Sequence, residues 1–147
     1  MNVLVDTSIW SLAFRRPSGT ISPHEKALVS TLAKLIDELR AVLIGPIRQE
    51  ILSGIADEKQ FASLQEKLSA FDDLPITMQD YESAAAFYNI CRKAGIQGSH
   101  IDFLICAVAS RNELLIFTRD GDFDTYSKFL DIDLYSPPKE TRRHQSR

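Results

Sequence analysis

Cysteine, glycine and long hydrophobic runs are all scarce in this chain of 147 residues. Two cysteines are too few for the disulfide framework of a small secreted domain. Six glycines exclude a collagen-like fibre, which needs glycine at every third position. Apolar runs fall far short of the roughly 20 residues that span a bilayer. The apolar stretch of a secretion signal is also missing. We therefore expect a cytoplasmic protein with no membrane partner.

The overall composition is that of an ordinary globular domain, with 44% hydrophobic and 25% charged residues. A chain of this length buries roughly two-thirds of its unfolded surface, so it can form a stable core without disulfide bonds. We expect one domain over residues 1–136, whose core includes Cys91 and Cys106 as reduced thiols.

The charge of the chain is unevenly distributed. The net charge is −3, but residues 139–147 contain four Lys or Arg and one Glu, which leaves −6 on the rest. This negative net charge argues against a protein that binds nucleic acid over its whole surface. Because Pro137 and Pro138 precede the basic segment, we predict a basic, flexible C-terminal tail over residues 137–147.

Short apolar runs alternate with amphipathic segments along the chain. The runs predict strands at 2–5, 41–44, 114–118 and 132–135, and a short edge strand at 74–76. The amphipathic segments predict helices at 8–14, 22–39, 58–71, 80–94, 100–111 and 122–129, and one beginning at Pro46. Strands that alternate with helices indicate an α/β fold, with a parallel sheet covered on both faces.

Several acidic residues follow the predicted strands. Asp6 comes directly after the first strand, and Asp120 and Asp122 come after the strand that ends at Thr118. Glu50 lies one turn into the helix after the second strand, while Asp102 lies near the start of the helix before the last clear strand. Ligands of parallel sheets bind beyond the carboxyl ends of the strands, so these acids are candidates for one site.

Several carboxylates in one cleft repel one another unless a cation neutralises them. Oxygen ligands suit Mg²⁺ or Mn²⁺, and no Cys or His is placed to build a zinc site. Such a cation polarises phosphates and generates a hydroxide nucleophile. The acidic set therefore points to phosphodiester hydrolysis.

Each acid also has a purely structural interpretation. Asp6 is suited to cap the helix that follows it. Asp102 stands three residues after Ser99, which is the position of the acidic partner in a capping box. Asp120 and Asp122 flank Gly121 and fit an ordinary turn. Glu50 alone fits a solvated helix position, so the residues by themselves leave both interpretations open.

Four segments, in order, resemble the PIN-domain nucleases, and in particular the VapC-type toxins of bacterial toxin–antitoxin pairs. The segment VLVDTSIW, residues 3–10, resembles the opening of that family. RQEIL at 48–52 resembles its helix with a single Glu, and HIDFLICAVA at 100–109 resembles its D-x-x-I-x-A-x-A helix. LIFTRDGDF at 115–123 resembles its strand ending in T-x-D-x-D-F.

The resemblance implies a PIN-like three-layer α/β/α sandwich with a mainly parallel central sheet of four to five strands. It also implies a metal-dependent endoribonuclease, the toxin of a type II toxin–antitoxin pair, with a cognate antitoxin as partner and a homodimer as assembly. The implied Mg²⁺ or Mn²⁺ ligands are Asp6, Glu50 and Asp102, with Asp120, Asp122 or both as the fourth acid. Thr7 or Ser8 would orient Asp6 or contact the scissile phosphate.

The implied reaction is hydrolysis of single-stranded RNA by metal-activated water. Because the site is itself negative, RNA needs both the cation and nearby basic residues. Arg15 and Arg16, in the loop after the first helix, and Arg119, beside the last acids, are the candidates for binding RNA; each also fits a solvated surface arginine.

Two other functions fit part of the pattern. A magnesium-dependent phosphatase or phospho-acceptor domain also carries an Asp after its first strand. The haloacid-dehalogenase version requires a second Asp where this chain has Ser8. A non-catalytic PIN-like module that only binds protein is the other alternative, and the complete acidic set argues against it.

Overall fold

The computed structural model describes residues 1–15 and 18–138. The strands are β1 (Val3–Val5), β2 (Ala41–Val42), β3 (Leu115–Phe117) and β4 (Asp133–Leu134). The α-helices are α1 (Thr7–Phe14), α2 (Pro23–Asp37), α3 (Gly45–Leu52), α4 (Glu58–Leu68), α5 (Met78–Lys93), α6 (His100–Arg111) and α7 (Asp122–Tyr126), and a 3₁₀ turn covers Ser18–Thr20. No helix in the described part of the chain is long and apolar enough to cross a membrane.

The four strands form one parallel sheet in the order β2-β1-β3-β4. Val3 lies opposite Ala41 on one side and Leu115 on the other, so β1 is central and fully buried. Because β2 and β3 lie on opposite sides of β1, right-handed crossovers place helices on both faces. The predicted α/β class and four-stranded parallel sheet are therefore confirmed.

The core forms where the sequence concentrates apolar residues. All residues from Phe103 to Ala109 in α6 are buried, as is Trp10 in α1, whose indole N–H donates to the carbonyl of Val5 at 3.0 Å. Cys91 and Cys106 are buried free thiols, as predicted, and burial raises the pKa of both.

An ion pair between a buried aspartate and an exposed arginine connects α5 to α6. Asp80 is 1% exposed, and Arg111 donates to its two carboxylate oxygens at 2.6 and 2.9 Å. Asp80 also completes a capping box with Thr77 at the start of α5. Hydrogen bonding from Arg111 lowers the pKa of Asp80 against the opposing effect of burial. The pair fixes the end of α6 opposite to the one that carries Asp102.

The predicted edge strand at 74–76 is wrong. One parallel bridge pairs Asp73 with Leu43, and the N–H of Leu74 donates to the carbonyl of Leu43 at 2.8 Å. The pairing goes no further because Ile44 is the N-cap of α3, so the partner segment leaves the sheet directly after Leu43. Several predicted ends also move inward, since α4 ends at Leu68 and α7 at Tyr126. Arg16 and residues 139–147 of the predicted tail lie outside the described residues.

Candidate metal centre

Asp6 stands between β1 and α1 and is held through one oxygen. Its Oδ2 accepts hydrogen bonds from the Ser8 hydroxyl at 2.8 Å and the Thr118 hydroxyl at 2.9 Å, and a longer one from the Ser8 N–H at 3.4 Å. Asp6 is therefore the N-cap of α1, as its structural interpretation predicted. It is also 8% exposed and lies at the carboxyl end of the central strand, so capping and a role in the site are compatible.

Thr118 links the ends of β1 and β3. Besides donating to Asp6, its Oγ1 accepts the N–H of Asp120 at 3.0 Å. The hydroxyl of Ser8 accepts the N–H of Arg119 at 3.2 Å, which makes a second link across the same gap. Sequence reasoning treated Thr118 only as the end of a strand, although it directly precedes the acidic loop.

Glu50 is half-buried on α3 and is held by Thr7, which follows Asp6 in the chain. The Thr7 hydroxyl donates to Glu50 Oε1 at 2.6 Å. Thr7 or Ser8 was expected to orient Asp6 or to contact the phosphate; Ser8 hydrogen-bonds to Asp6, and the contact described for the Thr7 side chain is with Glu50. The first turn of α1 thus positions two acids through neighbouring hydroxyl residues, Asp6 through Ser8 and Glu50 through Thr7.

Asp102 lies in the first turn of α6, and its backbone and side chain do different things. Its N–H donates to the Ser99 hydroxyl at 3.0 Å, which is the helix cap predicted from the sequence. Its carboxylate turns instead to α7, where Oδ2 accepts the Tyr126 hydroxyl at 2.8 Å. Burial raises the pKa of Asp102, and the charges of Asp6 and Asp120 raise it further against the lowering effect of its hydrogen bonds.

The structure brings three acids into one group. Asp102, Asp120 and Asp122 each place a carboxylate oxygen within 4.8 Å of the other two. Asp120 and Asp122 are exposed and belong to one turn, in which the Asp122 N–H donates to Asp120 Oδ1 at 2.9 Å. Asp6 and Glu50 lie outside this group of three, although the charge of Asp6 acts on Asp102.

Four of the acids accept hydrogen bonds in a similar way. In Asp6, Glu50, Asp102 and Asp120, protein donors reach one oxygen. Within residues 1–15 and 18–138, no hydrogen bond to the second oxygen of Asp6, Glu50 or Asp120 is described, while the Asp102 carboxylate also interacts with the Ser99 side chain. The first three carboxylates are thus oriented and still offer an oxygen, which suits a hard divalent cation.

An open cleft of about 610 Å³ borders this acidic group and is lined by Ser8, Ser11, Leu12, Arg15, Arg119 and Asp120. Two of the three arginines proposed from the sequence therefore share a cleft with one of the acids. Arg119 is already engaged, since its guanidinium pairs with Glu25 at 2.8 Å. Arg15 is exposed at the end of α1.

The fold and these side chains define an α/β protein with an acidic cleft at the carboxyl ends of its parallel strands. Comparison with known proteins identifies the family. The PIN domain family model matches residues 3–128. Ribonuclease VapC11 of Mycobacterium tuberculosis is 31% identical over 132 residues, which cover 88% of this chain and 95% of the relative. The chain belongs to the PIN domain family, as the sequence motifs predicted.

Solved structures show the same fold. FitAcB from Neisseria gonorrhoeae matches with a TM-score of 0.71 and 23% identity, covering 92% of this chain and 97% of that one. A toxin-antitoxin complex from Klebsiella pneumoniae matches with a TM-score of 0.61 and 20% identity, covering 83% of this chain and 90% of that one. At these identities, the likeness establishes the PIN-like architecture.

Proposed function

We propose that this protein is a metal-dependent endoribonuclease that acts as the toxin of a toxin–antitoxin pair. The observation that carries the proposal is the convergence of Asp102, Asp120 and Asp122 within 4.8 Å, next to a cleft that contains two arginines. The resemblance over 88% of the chain to a protein named a ribonuclease supports the same activity.

The proposed ligands of Mg²⁺ or Mn²⁺ are Asp6, Glu50, Asp102, Asp120 and Asp122. Their oxygen-only donor set and concentrated negative charge favour a hard cation over zinc. When bound, such a cation neutralises the cluster, polarises a phosphodiester and acidifies a water molecule. The hydroxyls of Thr7, Ser8 and Thr118 keep the carboxylates in place before substrate arrives.

The arginines that line the cleft are placed to bind RNA. Arg15 is placed to contact a phosphate of a single strand that enters the cleft, and Arg119 lies between the cleft and Glu25. Pairing with Glu25 limits how freely Arg119 reaches a phosphate, so Arg15 carries the larger share of the contact. Arg16, the third arginine proposed from the sequence, retains that assignment as a prediction only.

The proposed partners are an antitoxin protein and a second copy of the chain. The antitoxin is supported by the fold shared with a structure titled as a toxin-antitoxin complex. An antitoxin that covers the cleft would keep RNA away from the carboxylates, so we expect the free protein to be the active form.

The deciding experiment is cleavage of a mixed cellular RNA pool by antitoxin-free protein with Mg²⁺ or Mn²⁺. We expect cutting that stops in EDTA and in Asp6→Asn. The matched control is Asp131→Asn, which removes an exposed carboxylate outside the site and should cut like wild type. A folded, metal-loaded protein that cuts no RNA in the pool would contradict the proposal.

A further inference from the structure

Tyr126 is a fully buried polar residue whose hydroxyl reaches the acidic group. It closes α7, and its ring packs against Phe103 and Phe123 with centroid distances of 5.0 and 5.3 Å. Its hydroxyl donates to Asp102 Oδ2 at 2.8 Å. The contact joins α6, which carries Asp102, to α7, which begins at Asp122.

Gly98 leaves the space that this hydroxyl occupies. A Cβ atom at position 98 would lie 2.5 Å from Tyr126 Oη and 2.7 Å from Cζ of Phe103. Real Cβ atoms do not approach other atoms this closely, so either the tyrosine or the phenylalanine would have to move. The Tyr126 hydroxyl is thus confined between the backbone at Gly98 and the carboxylate of Asp102.

The carboxylate of Asp102 needs such a constraint. The terminal torsion of an aspartate is soft, so the group rotates readily unless a donor holds it. Its neighbours Asp120 and Asp122 carry like charge within 4.8 Å and repel it. The Tyr126 hydroxyl counteracts this by fixing Oδ2 at 2.8 Å, and the Ser99 side chain also hydrogen-bonds to the carboxylate.

We propose that Tyr126 is a positioning residue for the cation site: its hydroxyl, confined by Gly98, holds the Asp102 carboxylate in the orientation in which it would bind the cation. This inference rests on the proposed function. It gives a role to a side chain that no sequence motif singled out. Loss of a partner that orients a ligand weakens metal binding by about 10- to 100-fold.

The test is the Mn²⁺ dissociation constant, measured from the electron paramagnetic resonance signal of free Mn²⁺. Tyr126→Phe keeps the ring and removes the hydroxyl, so we expect a dissociation constant about 10-fold higher. Gly98→Ala keeps the hydroxyl but displaces it or the Phe103 ring, so weaker binding is expected again. Tyr81→Phe, at an exposed tyrosine on α5, is the control and should bind like wild type.

Kinetics at saturating Mn²⁺ separate positioning from a general structural role. For Tyr126→Phe, we expect the KM for RNA to stay within about twofold of wild type and kcat to recover as Mn²⁺ is raised. If Tyr126→Phe is folded and binds Mn²⁺ like wild type, the inference is wrong. If the wild type itself binds no Mn²⁺, the proposed function fails as well; if the wild type binds Mn²⁺ and cuts RNA, only the positioning role is refuted.

Discussion

Repulsion among the carboxylates of Asp102, Asp120 and Asp122 should destabilise the folded protein in the absence of metal. The variant Asp102→Asn tests this directly. Asparagine has nearly the same shape as aspartate and still offers an oxygen to the Tyr126 hydroxyl. It removes one negative charge from a group whose oxygens lie within 4.8 Å of one another. We therefore expect the variant to be more stable than wild type in EDTA.

The size of the effect follows from the separation of the charges. Two unit charges 4.8 Å apart repel by about 0.9 kcal/mol in water and about 3.5 kcal/mol at an effective dielectric constant near 20. Asp120 and Asp122 are exposed, so the lower value applies to the pairs they form with Asp102. Removing both repulsive pairs should raise the free energy of unfolding by about 1–2 kcal/mol, which corresponds to a melting temperature higher by about 2–8 °C.

The assay is thermal unfolding by circular dichroism at neutral pH and low salt, with Asp131→Asn as the control. In EDTA, Asp102→Asn should melt above wild type, and added NaCl should shrink the difference because salt screens exposed charges. Added Mn²⁺ should stabilise wild type more than the variant. Under the proposed function, the same substitution should reduce RNA cleavage by more than about 100-fold, because Asp102 is then a ligand rather than a supporting group.

The pH dependence provides an independent check. Burial, together with the charges of Asp6 and Asp120, raises the pKa of Asp102 in the folded protein. The raised pKa means that ionised Asp102 lowers the stability of the folded protein. This loss of stability is absent below the pKa of the unfolded aspartate, about 3.9; it develops as pH rises toward the pKa of folded Asp102 and is complete above it. The advantage of Asp102→Asn should therefore disappear in acid. A variant no more stable than wild type at neutral pH in EDTA would refute the reasoning.

Three further predictions concern an ion pair between helices, a hydrogen bond to Asp6 and an arginine in the cleft. Arg111→Met removes the ion-pair partner of the buried Asp80 carboxylate and should lower the free energy of unfolding measured in urea. Because Arg111 lowers the pKa of Asp80, this loss should fade as pH falls through the folded pKa; a loss that does not vary with pH would contradict it. Thr118→Val removes a donor to Asp6 and should raise the Mn²⁺ needed for half-maximal cleavage about 10-fold, whereas Thr118→Ser should not. Arg15→Ala should weaken RNA binding and reduce the slope of log affinity against log salt by about 0.7; an unchanged slope would exclude a phosphate contact.

Local patterns were sufficient to predict most of the framework. Apolar runs located the strands, and the capping pattern at Ser99 and Asp102 located the start of α6, because both depend on neighbouring residues. The prediction of an edge strand at 74–76 failed because the neighbouring segment enters α3 directly after Leu43 and leaves no strand for these residues to pair with. The family followed from four motifs in order, which no single acidic residue would have supported.

The contacts that support the site were harder to predict because they join distant residues. Thr7 and Glu50 are 43 positions apart, and Tyr126 and Asp102 are 24 apart. No sequence motif singles out Tyr126, and its contact with Asp102 and its packing beside Gly98 emerge only from the fold. Asp102 shows the same limit, since its N–H follows the capping rule while its carboxylate turns to another helix.

The sheet order also determines when a newly made chain acquires its acidic group. The strand β1 and Asp6 are synthesised more than a hundred residues before the neighbouring strand β3 and the acids that follow it. A nascent chain that stops before Leu115 has no partner for that side of β1 and lacks Asp120 and Asp122. Under the proposed function, a ribosome making this protein is therefore not exposed to its nuclease activity until β3 and the acids after it have been synthesised.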